Sequence, residues 1–219
     1  MYKKSIILGA IACVMMLTFS CKKDNGLSKN INNIISQKII DDLQKRGMTI
    51  NKGSTPPTLP AIVLASSFTL VSPYGAADGW SVGKVIADYK YRFSGQTGDQ
   101  VKLDYKNSGS DYATGMASFL SGSGNKFSLF AQVTGTSSGI NYKSVKIISG
   151  EVTADGIKDF HEALVLTEKE GDESNSILMP VGAGRIWKDG DGLAETISTY
   201  RLNPAASTNS DAASNMSGK

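Results

Sequence analysis

The chain holds a single histidine, His161, and two cysteines, Cys13 and Cys21. Any imidazole-based triad must therefore use His161, and so few imidazoles and thiols nearly exclude zinc and iron sites. His161 stands between Phe160 and Glu162 at the head of an expected strand, an ordinary place for a solvated histidine. Gly135-Thr136-Ser137-Ser138-Gly139 has the G-x-S-x-G spacing. That motif works only on a sharp strand-to-helix turn, and a strand pattern follows here. It reads as a hairpin loop. Asp189-Gly190-Asp191-Gly192 with Glu195 offers oxygen ligands to calcium. A calcium loop would need polar groups where Leu193 and Ile197 stand, and Asp-Gly repeats are common in tight turns. Asp189, Asp191 and Glu195 are thus calcium candidates, and the turn is the preferred reading. Gly182-Ala183-Gly184 lacks the third glycine and following helix of a dinucleotide fingerprint. Carboxylates for glycoside chemistry could come from Asp88, Asp104, Glu151 and Glu162, on or beside expected strands. No catalytic constellation and no cofactor motif emerges, so the chain is not read as an enzyme.

The elements that must carry these residues are mostly strands. Tyr89-Lys90-Tyr91-Arg92-Phe93 alternates aromatic with basic side chains, as a half-buried strand does. Phe127, Leu129, Ala131 and Val133 should face a core, with Ser128, Gln132 and Thr134 turned outward. Phe130 falls on that outward face and needs cover. Ala163-Leu164-Val165-Leu166 is apolar enough for a strand covered on both sides. Gly- and Asp-rich turns punctuate residues 61–202 with no βαβ spacing. The expectation is an all-β domain over 61–202: an antiparallel, up-and-down, lipocalin-like barrel of about eight strands, with a β-sandwich as the alternative. The aromatic set Tyr89, Tyr91, Phe93, Phe127 and Phe130 is expected as core, although a small barrel can also hold one small ligand.

Ile31, Ile34, Ile35, Ile39 and Leu43 recur at three- and four-residue steps, predicting one amphipathic helix over 28–46. Ser28 is its expected N-cap and Gly47 its stop. Residues 47–60 hold three prolines, Pro56, Pro57 and Pro60, and read as an extended, semi-rigid connector. Residues 203–219 are small and polar without apolar pattern, and are expected to be a disordered tail.

The N-terminus reads as an address. Met1-Tyr2-Lys3-Lys4 is basic, Ile6 to Phe19 is apolar, and Ser20-Cys21 supplies a small residue followed by cysteine. That apolar run is short for a membrane span, which takes about 20 residues. The pattern matches a secretory signal over 1–20. The Ser20-Cys21-Lys22-Lys23-Asp24 junction resembles lipoproteins of the Bacteroidota, and Gly47-Met48-x-Ile50-x-x-Gly53-x-x-Pro56-Pro57 resembles a GM-x-I-x-x-G-x-x-PP connector of uncharacterised members of that group. The resemblance implies an outer-membrane lipoprotein of the bacterial cell envelope, with 21–27 as the tether and lipid (palmitate among its chains) on Cys21 as the membrane anchor. Whether it faces the periplasm or the cell surface stays open. Both thiols are then spoken for, so the folded part needs no disulfide.

The formal charge is +3, and loss of Lys3 and Lys4 with the signal leaves +1. No nucleic-acid partner is expected at that balance. The expected function is a non-enzymatic envelope protein that binds a small apolar ligand or a protein partner. Alternatives are an accessory subunit of an envelope complex and, third, a glycan hydrolase using paired carboxylates. The anchor is directly testable: a clickable fatty-acid probe should label the wild-type protein in its own cells. The Cys21→Ala variant should carry no label, and equal labelling of both would rule the lipid anchor out.

Overall fold

The computed structural model describes residues 25–201. The expected signal, Cys21 and the tail from 203 lie outside the described residues. In chain order the elements are α1 (Lys29–Ile34), α2 (Gln37–Lys45), β1 (Ser54–Thr55), β2 (Ile62–Ala65), β3 (Thr69–Ser72), β4 (Tyr89–Thr97), β5 (Gln100–Asn107), β6 (Tyr112–Ser123), β7 (Lys126–Ser137), β8 (Ile140–Val152), β9 (Gly156–Lys169), β10 (Gly184–Lys188) and β11 (Leu193–Thr196).

Alternation within the strands decides how these assemble. In β4, Tyr89, Tyr91 and Phe93 are buried, while Lys90 and Arg92 face outward. In β7, Phe127, Leu129, Ala131 and Val133 join one core and Phe130 joins another. The inward stripes are buried by closing the sheet on itself. β4 through β9 pair as an antiparallel meander, β2 pairs with β4, and β11 bridges β2 to the first residues of β9. The result is a closed ring of eight strands, one sheet rather than the two of a sandwich. Further along β9, from His161 to Val165, the neighbour is β10, which continues to β3 as a flap off the ring. Hairpin turns carry the required handedness. At Ser138 and Gly139, between β7 and β8, both residues have positive φ, 49° and 80°. Such a pair matches the twist of the strands it joins.

The outer face of β7 to β10 is apolar too, and the helices cover it. Ile31, Ile35, Ile40 and Leu43 pack with Phe130, Val145, Ile147, Ala163, Val165 and Ile186. Phe130 thus finds its cover. The helical segment is not one helix, however. Residues 35 and 36 are extended between α1 and α2, with φ/ψ of −142°/139° and −76°/150°. The break moves the apolar stripe by one residue. Ile40 is fully buried, whereas Ile39, expected on the stripe, is 37% exposed. A straight helix cannot bury both Ile31–Ile35 and Ile40–Leu43 on one side, because the step from 35 to 40 is five residues. Ser28 caps α1 as expected, its hydroxyl accepting from Ile31 N at 3.4 Å. Arg46 fastens the end of α2, donating to Ser72 Oγ at 3.1 Å and Pro73 O at 2.9 Å.

The connector is pinned to the wall rather than spanning free space. β1 pairs in parallel with Gly122 and Ser123 of β6. Gly53 lies so close to the Gly122 carbonyl that a Cβ there would collide with it. Ser128, on the outward face as expected, is therefore buried beneath the connector and accepts from Asn51 N at 2.8 Å.

The two faces of β7 differ in energy. Phe127→Ala should cost about 3–5 kcal/mol in urea unfolding, and Phe130→Ala a similar amount through the helix contact. Ser128→Ala should cost about 1 kcal/mol, the net worth of one hydrogen bond. Thr134→Ala, exposed near the end of the strand, should fall within about 0.5 kcal/mol. Equal small losses from Phe127→Ala and Thr134→Ala would contradict this packing.

Candidate functional site

Three groups of chemically capable side chains occur, and the ring keeps them apart. The first is inside. Lys146 of β8 and Glu162 of β9 are both fully buried, with Nζ 2.6 Å from Oε1. The ammonium also lies 3.7 Å from the centre of the Tyr105 ring. Tyr91 donates its hydroxyl to Glu162 Oε2. The Tyr89 and Tyr142 hydroxyls donate to Asp111 at 2.7 and 2.9 Å, and the Tyr105 and Tyr142 hydroxyls are 2.6 Å apart. Burial pushes the Lys146 ammonium down, against the raising pull of Glu162 and Asp111. Burial raises the Asp111 carboxyl, opposed by Lys146 and the two tyrosine hydroxyls. Burial, then the neighbouring carboxylates, hold Tyr91, Tyr105 and Tyr142 well above the usual phenol range. These phenols stay protonated and the network is closed to solvent, which suits a structural lock better than a reaction centre.

The second group is the Asp189 turn. Asp189 accepts from the backbone N–H of Ser66, Asp191, Gly192 and Leu193 at 2.8 to 3.2 Å. Asp191 accepts a second bond from Leu193 N. Glu195 sits apart on β11, exposed and paired with Leu64. The Asp189 oxygens thus organise the turn between β10 and β11. No cluster of three or more His, Cys, Asp or Glu suited to a metal occurs among the described residues.

The four expected carboxylates are not brought together. Asp88 accepts from Ser67 N at 3.0 Å. Asp104, on the outer face of β5, is held by Arg92 at 2.7 Å and by Thr114 at 2.8 Å. Burial would raise that carboxyl, but these partners outweigh it and lower it. Glu162 is in the interior, and Glu151 lines the third group.

That group lies on the outer wall. Strand register sets Ser121, Ser128, Ser149, His161 and Lys188 side by side across β6 to β10. The connector answers the first two serines. Gly53 N donates to Ser121 Oγ at 3.1 Å and Asn51 N to Ser128 Oγ at 2.8 Å, so the chain advances one strand per two residues. Continued backward, the next contact would fall on Ser149. Instead the chain lifts away to α2, where Met48 N bonds to Leu43 O at 2.9 Å. Ser149 Oγ, fully buried, is left with no partner.

A cleft of about 210 Å³ forms there, lined by Asn51, Lys126, Ser149, Glu151, Asp159 and His161 among others. A bulge shapes its far side. Gly150 alone stands opposite Asp159 and Phe160, since Ser149 pairs with His161 but Glu151 with Lys158. Asp159 takes a left-handed φ of 52°, and its carbonyl receives His161 Nδ1 at 2.9 Å. A carbonyl only accepts, so Nδ1 carries a proton, and in the neutral ring it is Nε2 that presents the lone pair. Sequence reasoning named His161 and Glu151 but missed Ser149, Lys146 and Asp111. For Lys146 a signal was present: it is the lone charge in Val145–Ser149. For Ser149 there was none, because its role depends on the register of four strands. No family model, curated protein or solved structure matches this chain.

The interior pair is testable by a double-mutant cycle. Lys146→Met should cost about 3–5 kcal/mol by stranding a buried carboxylate. Adding Glu162→Gln should recover a large part of that loss, and strictly additive effects would show that the two charges do not act as a pair.

Proposed function

We propose that this protein is a lipid-tethered, non-enzymatic module of the bacterial cell envelope that binds through its outer surface, with a protein partner favoured over a small apolar ligand. The observation that carries this reading is the filled ring. Tyr89, Tyr91, Tyr105, Phe127, Leu129, Phe160 and the Lys146–Glu162 pair occupy its interior with at most 1% exposure, where a lipocalin-like ligand would otherwise sit. Asp88, Asp104, Glu151 and Glu162 lie apart, which removes their mutual pairings as a hydrolase's carboxylates; the acid that shares the Glu151 cleft is Asp159, a pair that the glycan test below addresses. The accessory-subunit alternative loses its expected docking element, because the isoleucine stripe packs on its own ring. Lipid on Cys21 would supply the attachment: no helix among the described residues is long and apolar enough to cross a membrane. Acyl chains on one cysteine contribute about 0.8 kcal/mol per buried methylene, enough in combination for stable anchoring.

Native mass spectrometry of the protein extracted from its own membrane should show a stoichiometric protein partner released on activation. A retained apolar small molecule in place of a partner would reverse the preference between the two ligand classes. Turnover of a glycan by the purified chain would end the non-enzymatic reading.

A further inference from the structure

We propose that the cleft beneath the connector is a binding site for a neutral, polyhydroxylated ligand the size of one sugar unit. The proposal rests on reading the protein as a binding module, and it gives that module a ligand chemistry. The cleft's volume, about 210 Å³, lies below the roughly 300 Å³ at which pockets for drug-sized ligands begin. It suits one sugar ring or a short polyol.

The wall of the cleft is mostly apolar, as the faces of a sugar ring require, and the polar groups set into it define the rest of the chemistry. Ser149 Oγ is a buried hydroxyl without a partner, able both to donate and to accept. In the neutral ring His161 Nε2 presents a lone pair, because Nδ1 donates to Asp159 O. Asn51 spends its amide N–H on Phe127 O at 2.8 Å, which leaves Oδ1 as an acceptor. Glu151 and Asp159 add carboxylate acceptors, and Lys126, directly across from Glu151 in the β7–β8 register, adds donors. A strongly charged ligand would meet both signs of charge within one small space. Vicinal hydroxyls match the set: each can donate to Nε2 or a carboxylate while accepting from Lys126 or Ser149. Such hydroxyls belong equally to a free sugar and to the end of a glycan chain.

The lone histidine makes the test direct. The full chain, labelled with [¹³Cε1]histidine and carrying no histidine tag, yields one imidazole signal in detergent solution. Titration with glucose, galactose, N-acetylglucosamine and myo-inositol should move that signal saturably with at least one of them, at about millimolar concentration. Movement with free sugars identifies a free-sugar ligand; movement only with oligosaccharides ending in those units identifies a glycan end. Ser149→Ala should weaken binding about tenfold, yet melt at the same or a higher temperature, because it removes an unsatisfied buried hydroxyl. No saturable shift with any neutral polyol overturns the proposal. So does a shift with ethanolamine or phosphate alone, or unchanged affinity in Ser149→Ala. Failure here leaves the envelope reading to the Cys21 label and the mass spectrum. Sugar binding followed by bond cleavage would keep the site and strike the non-enzymatic reading instead.

Discussion

The Lys146–Glu162 pair inside the ring is the constraint from which most of the architecture follows. A charge fully removed from water is tolerated only when paired and hydrogen-bonded, and breaking one partner is far worse than lacking both. Lys146 and Glu162 come from adjacent strands, β8 and β9. Slipping one of these strands by a single residue would turn its charge outward, beneath the helices, and strand the other inside. Hydrophobic alternation alone specifies this region poorly, because both faces are apolar: Val145 and Ile147 feed the outer core while Ile148 and Leu164 feed the inner one. The ion pair removes that ambiguity. The tyrosines then follow, since they supply the hydroxyls and ring faces that such a pair and Asp111 require in a dry interior.

A second, independent clamp holds the flap that leaves the ring. Arg185 of β10 is fully buried and grips Asp78 with Nε at 2.8 Å, its guanidinium 4.1 Å from the centre of a Trp80 ring. Burial by itself would raise Asp78, but Arg185 and the backbone N–H groups of Tyr74 and Trp80 draw it below the usual carboxylate range. The loop between β3 and β4 is thereby tied to β10 by a charge pair rather than by strand pairing. The wall therefore has ionic fixtures on both sides of β9: one sets register, the other sets the position of a loop.

Much of this was legible from residue order. The alternation in 89–93 and 127–134 predicted the inward stripes, and the spacing of glycine-rich turns predicted a closed all-β arrangement of about eight strands. Phe130 was recognised as needing cover, and the helices supply it. The failures share one cause: they turn on distances between strands remote in sequence. A straight helix over 28–46 satisfied the local pattern, but the curved wall needed Ile40 rather than Ile39, and the chain broke at 35–36 to present it. The prolines between 56 and 60 pointed to a connector without helix, and no helix forms there, yet nothing local revealed that Asn51 and Gly53 dock on serines 70 or so residues onward. Glu162 was weighed as one acid among four, when its lysine partner, 16 residues earlier, was what gave it meaning.

The outer cleft is where the chain departs most from its own economy. Elsewhere along the row the serines are satisfied, Ser121 and Ser128 by connector amides. Ser149, equally buried, is not, and a buried hydroxyl without a partner costs about 1–3 kcal/mol relative to one that is bonded. Alanine there would avoid that cost. One bulge away, Asp159 sits in the left-handed region, which costs an L-residue roughly 1–2 kcal/mol. Between them stands the only histidine, its tautomer set by the carbonyl of that strained residue. Departures from the locally best choice are expected to scatter if they are incidental and to gather if they serve a site. Partnerless buried groups also occur at Ser137, Ser144 and Trp187, and left-handed φ at Ser67, Ser138 and Asn175, but at Ser149 and Asp159 the two kinds of departure fall on adjacent strands beside one cavity. The ring explains why the wall is rigid enough to hold such an arrangement, but nothing in the ring requires the arrangement itself. The proposed occupant of the cleft would supply the partner that Ser149 lacks.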